Sequence, residues 1–178
     1  MFNVYSQIRT TRKILRLLRT LEYSTKIKQN VPKLQHQLGD IKMLINNLLS
    51  ILQNLSTFLF YLSDHRVLFA ELGVIDQSYK VAHYSKSYKF YLMENVFGAL
   101  KRLTDMLIML FENKYEGQEV EFSEATKLFK ELAIDFIKCF LDVFVALHYL
   151  NGAVSANKAS VIGVITSLIG ISQMWKKK

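Results

Sequence analysis

The sequence predicts an all-α, membrane-associated helical bundle, opened by a basic amphipathic helix and closed by a hydrophobic span. Three observations carry that expectation. One proline (Pro32) and seven glycines interrupt 178 residues, too few turn residues for many short strands. Apolar residues make up 51% against 21% charged, which is apolar for a soluble domain of this size and ordinary for one embedded in lipid. Apolar residues also recur at three- and four-residue steps, and Met43 to Ser63 is a run of 21 residues without a charge. The length is that of a single domain, 1–178.

The N-terminal segment, 1–30, reads as a helix with two opposed faces. At 100° per residue, Val4, Ile8, Ile14, Leu15, Leu18 and Leu21 fall on one side. Arg9, Arg12, Lys13, Arg16 and Arg19 fall on the other. Residues 1–40 hold eight Lys or Arg against Glu22 and Asp40, a net of +6, and three lysines close the chain. The net charge of +8 thus sits mostly at the two ends, which want an anionic partner. Lipid headgroups fit: the five basic residues would lie at the phosphates while Ile8, Leu15, Leu18 and Leu21 enter the acyl boundary. Nucleic acid does not, because the apolar side chains opposite would then lack a core.

Pro32 ends this helix or starts the next. Long helices follow over 34–111. The first carries an apolar stripe at Leu34, Leu38, Ile41, Ile45, Leu48, Leu52, Leu55, Leu59 and Leu62. Asn46, Asn47, Gln53 and Asn54 interrupt it, so its amides are expected to turn toward neighbouring helices rather than lipid. Leu72-Gly73-Val74 reads as a glycine-capped end. From 79 onward Tyr79, Tyr84, Tyr88 and Tyr91 alternate with Lys80, Lys86 and Lys89, a composition that suits either a membrane–water interface or an ordinary helix surface.

Residues 112–122 form a polar, acidic loop, and the C-terminal helices take up 123–178. Ser123 is the expected cap of the first, with Glu124 in its opening turn. Lys127, Glu131, Asp135, Lys138 and Asp142 then recur in one line, read as a solvated face, with a polar seam inside the bundle as the alternative. Ala159 to Trp175 is an uncharged stretch at the short end of what crosses a bilayer, closed by Trp175 as interface anchor and the lysines. Within it Ser160, Gly163, Ser167 and Gly170 set small side chains in a row, a groove where another helix can approach in lipid. That helix could belong to a second copy, to another membrane subunit or to the 43–63 segment.

Nothing resembles a catalytic, cofactor or metal site. There is no phosphate-cradling glycine loop, HExxH, GxSxG or CxxC. His36, His65, His83 and His148 lie in different segments without ligand spacing, and Asp64-His65 are neighbours that point about 100° apart on a helix. The single cysteine, Cys139, excludes an internal disulfide and reads as packing.

Three stretches, in order, resemble the peroxin-eleven family of peroxisomal membrane-elongation proteins. The first is Thr11-Arg12-Lys13-Ile14-Leu15-Arg16-Leu17 followed by Leu21-Glu22. The second is Phe60-Tyr61-Leu62-Ser63-Asp64-His65 running on to Leu72-Gly73-Val74-Ile75. The third is Asn151-Gly152 and then Gly163 to Gly170 with Trp175. The resemblance implies a non-enzymatic protein of the peroxisomal membrane that inserts an amphipathic helix into one leaflet, helps the membrane elongate and divide, and self-associates. An Arg-rich N-terminus with no acid before Glu22 also passes for a mitochondrial targeting segment, so the alternative is an accessory subunit of a mitochondrial inner-membrane complex.

Overall fold

The computed structural model describes residue 11 and residues 17–37, 39–115 and 118–176. Five helices account for nearly all of them: α1 (Leu17–His36), α2 (Ile41–Glu71), α3 (Tyr79–Glu112), α4 (Phe122–Asn151) and α5 (Ala156–Lys176). The fold class is therefore all-α.

Several boundaries differ from the sequence reading, each for a local reason. Helix α1 runs through Pro32 and stops one turn later. The missing N–H costs a single bond to the carbonyl four residues back, and Lys33 and His36 in the last turn favour the negative helix end. Helix α2 starts at Ile41, not at Leu34. The Asp40 carboxylate there accepts from the backbone N–H groups of Lys42 and Met43 at 3.0 and 3.2 Å, which fixes the start. Its other end closes as expected: Gly73 takes φ 73°, and the Val74 N–H reaches back to the Phe69 carbonyl at 2.9 Å. The acidic loop contains a small antiparallel hairpin, β1 (Lys114–Tyr115) with β2 (Gln118–Glu119), entered through Asn113 at φ 51°. The residue that precedes α4 is Glu121 in extended geometry, with no side-chain cap, so Ser123 already lies inside the helix. Gly152, at φ 67°, ends α4.

Among the described residues each helix packs only against the helices before and after it in sequence, apart from the hairpin lying on the end of α3. The bundle is thus open: a single row, α1 to α5, with alternating direction. Three kinds of contact hold the row together. A ladder of rings crosses four helices at one end. Tyr23 of α1 meets Tyr61 of α2 (centroids 5.7 Å), Phe60 meets Tyr91 of α3 (5.4 Å), and Tyr88 stacks on Tyr149 of α4 (4.4 Å). Tyr84 and Tyr88, 4.9 Å apart, continue it, so these tyrosines pack between helices, while Tyr79 stays exposed. At the opposite end Met106, Met109 and Leu132 form a compact apolar cluster with Tyr115, Leu128, Phe129 and Phe136 around it. Between them, at mid-height, the contacts are polar.

Candidate membrane-facing surfaces and the polar seam

Burial in this protein is inverted relative to a water-soluble domain. Among the described residues, the buried side chains include eleven polar or charged ones against ten apolar ones. Polar groups inside and apolar groups outside is what a hydrocarbon solvent selects.

The apolar stripe of α2 shows the inversion most directly. Ile41, Ile45, Leu48, Leu55 and Leu62 are all exposed. On the opposite side of the same helix Asn46 and Thr57 are buried. The amides of α2 turn inward as expected: Asn46 donates to the Asp105 carboxylate, and Asn47 donates to the Asn30 carbonyl at 3.1 Å. Helix α3 repeats the pattern, with Met93, Val96, Leu100, Leu103 and Leu107 exposed and Asn95, Gly98 and Asp105 buried about half a turn away. Helix α4 exposes Ile134, Ile137 and Phe140 and buries Asp142.

A polar seam runs through α2, α3, α4 and α5 by way of Asn46, Asp105, Arg102, Asp135 and Gln173. Asp105, only 2% exposed, is its centre, with Lys101 Nζ at 2.9 Å and Arg102 at 3.8 Å. Arg102 also reaches Asp135 of α4 at 3.3 Å, and the Gln173 amide of α5 donates to Asp135 at 2.5 Å. Lys138 pairs with Asp142 at 3.5 Å. The charge line of α4 is therefore corrected from a solvated face to a seam at Asp135, Lys138 and Asp142; only Lys127 and Glu131 stay exposed. Asp105, Lys101 and Arg102 were not picked out from sequence. Their only signal there is the four-residue step from Lys101 to Asp105 inside an apolar helix.

Above the seam a polar groove of about 360 Å³ opens between α1 and α3, floored by α2. Tyr23, Lys26, Asn30, Gln53, Asn54, Glu94, Lys101 and Arg102 are among its lining residues. Gly98 lies at the tightest crossing: a β-carbon there would meet Gln53 Nε2 at 2.7 Å and Cys139 Sγ at 3.1 Å. Burial raises the Cys139 thiol to about 11, in keeping with a packing role. Burial first, and then the charges of Arg66 and Lys86, hold the His83 imidazole below its ordinary range. Among the described residues no group of three or more His, Cys, Asp or Glu could hold a metal ion.

The residues singled out from sequence divide as follows. Ile8, Arg9, Arg12, Lys13, Leu15 and Arg16, and the side chain of Leu18, lie outside the described residues. Leu21 is 66% exposed. Arg19 is exposed as well and hydrogen bonds the Tyr61 hydroxyl, which raises its guanidinium pKa and ties α1 to α2. Trp175 is 81% exposed. On α5, Ser160 and Ser167 are exposed and Gly163 and Gly170 half-buried. Nothing lies within 4 Å of a β-carbon built on Gly163, while one on Gly170 would touch Lys138 at 3.7 Å. Among the described residues, nothing fills the groove at Gly163. Val161 and Val164 are exposed on α5, and Leu168, also exposed, lines a cleft with Ile134 and Ile137 of α4. By length and composition one helix among the described residues, α2, could cross a membrane.

Residues 1–175 match the family described as Peroxisomal biogenesis factor 11 (PEX11). Neither the curated proteins nor the solved structures hold a match to the chain.

Proposed function

We propose a function from one premise: this chain belongs to the Peroxisomal biogenesis factor 11 family. The family is one of structural biogenesis factors rather than enzymes, its membrane is the peroxisomal one, and its role is to remodel and divide that membrane. The mitochondrial alternative has no support. The observation that best agrees with this role is the inverted burial, apolar stripes outward and a charged seam inward.

Two finer assignments follow as proposals. The first is that the basic amphipathic N-terminus binds anionic headgroups through Arg9, Arg12, Lys13, Arg16 and Arg19 and inserts Ile8, Leu15, Leu18 and Leu21. At roughly 1 kcal/mol per basic residue near a charged surface, five supply at most ~5 kcal/mol, to which apolar insertion adds. In cells lacking their own elongating protein, the full chain is expected to multiply or tubulate peroxisomes. The Leu15→Asp variant, still reaching the organelle, is expected to lose that effect. Peroxisomes unchanged in number and shape by the parent chain, or equally remodelled by the variant, count against the assignment.

The second is self-association through α5, with Trp175 anchoring its end at the interface. Ser160, Gly163, Ser167 and Gly170 offer close backbone approach, and leucine at both glycines would fill it. The Gly163→Leu, Gly170→Leu double variant should enter the membrane normally and cross-link to a second copy several-fold less. Cross-linking at the parent level would remove the groove from consideration.

A further inference from the structure

We propose that the α1–α4 row lies flat in one leaflet, its apolar back in the acyl chains and its polar groove open to water, rather than crossing the bilayer. This rests on membrane residence, as read above, and not on remodelling activity.

Four observations point to the flat arrangement. First, the exposed apolar stripes of α2 and α3 lie about 180° around each helix from the residues that line the groove. The α2–α3 pair at the centre of the row is therefore two-sided, like a widened amphipathic helix. Second, α1 lies alongside α2 over much of its length, from Tyr23 against Tyr61 to Asn30 beside Asn47 and Ser50. Helix α1 carries Arg19, Glu22, Lys26, Lys28 and Lys33 along its whole length and cannot sit in hydrocarbon. What orients α1 also orients α2.

Third, α2, α3 and α4 hold 31, 34 and 30 residues. At 1.5 Å per residue they extend about 45–51 Å, well beyond a ~30 Å hydrocarbon core. Upright, they would also place Lys101, Arg102 and Asp135 near its centre, beside an open groove. Fourth, the apolar back ends in the exposed Arg66, Lys86 and Lys89, which suit anionic phosphates bordering the acyl chains.

The test is sidedness at the two ends of α2 in intact isolated peroxisomes. In a Cys139→Ser background, Gly39→Cys and Gln77→Cys are treated with a membrane-impermeant maleimide. Flat insertion gives equal labelling, or equal protection, of both positions, and Asn54→Cys in the groove follows them. A fluorophore on Leu55→Cys, on the back, should be quenched by lipids spin-labelled in the acyl chain. A tenfold difference between positions 39 and 77 overturns the proposal in favour of a spanning helix. Protection at 54 alone overturns it in favour of two copies facing each other across the groove. A Leu55 probe that reports water overturns it too. The unsubstituted chain gives an independent reading. Trypsin acting from one side of sealed organelles should cut at both ends of α3, near Lys80 and Lys114, or at neither, and cleavage at only one end contradicts flat insertion. A spanning result would leave the remodelling role to be judged by peroxisome number alone.

Discussion

Asp105→Ala is expected to cost about 3–5 kcal/mol, the usual penalty for removing one partner of a buried ion pair. The carboxylate is 2% exposed and holds Lys101, Arg102 and Asn46 together. Lys101 has only 12% of its side chain exposed, so its ammonium would be left without a counter-charge. For a chain of this size each kcal/mol shifts the melting midpoint by roughly 2–4 °C, so a drop on the order of 10 °C is expected for the purified protein in mild detergent. Replacing the pair together, Lys101→Met with Asp105→Leu, removes both charges and should recover most of the loss, because an apolar pair of similar volume avoids the desolvation cost. A single variant that melts with the parent protein, or a double variant as unstable as the single one, would show that the seam does not hold the row together.

Gly98→Leu is the second substitution with a large expected effect. The α-carbon of Gly98 is wedged between the Gln53 side chain of α2 and the Cys139 sulfur of α4. Leucine there must push two neighbouring helices from α3 at once, and overpacking of this kind costs about 1–3 kcal/mol. Gly98→Ala separates sterics from backbone effects. The 2.7 Å contact is with the far end of a flexible side chain, which can move, and alanine gains up to about 1 kcal/mol of helix preference over glycine. The alanine variant should therefore melt close to the parent while the leucine variant melts several degrees lower. Equal melting of all three would mean that the crossing tolerates bulk.

Much of the fold was legible in the sequence because helical periodicity is a local property. The extents of α3 to α5, the Gly73 stop at the end of α2 and its inward amides were read within a few residues, while the start of α2 was placed seven residues early. Periodicity says which residues share a face but not what covers that face. The stripe from Ile41 to Leu62 would line the core of a soluble bundle, whereas here it is the surface. The same ambiguity misassigned Asp135 and Asp142, whose partners Arg102 and Tyr91 lie on another helix about 33 and 51 residues earlier, and with them Lys138, which pairs with Asp142. Local chemistry accounts for the smaller errors. Asp40 outcompeted the proline as a boundary, and Glu121 preceded α4 through backbone geometry alone. Of the residues expected at lipid, Arg19, Leu21 and Trp175 are exposed, and the row arrangement of the helices had no sequence signal at all.

The row also fixes how stability is distributed. Among the described residues contacts join consecutive helices only, so cohesion is a chain of four interfaces and behaves more like a short solenoid than a closed core. Helices α1 and α5 are each attached by one interface and the three between them by two. Either terminal helix can detach without opening any other junction, at a cost set by its single neighbour. Helix α1, with Arg19, Lys26, Lys28 and Lys33, and helix α5, with Gly163 and Gly170, are thus the two that can leave the row and return while α2 to α4 stay assembled.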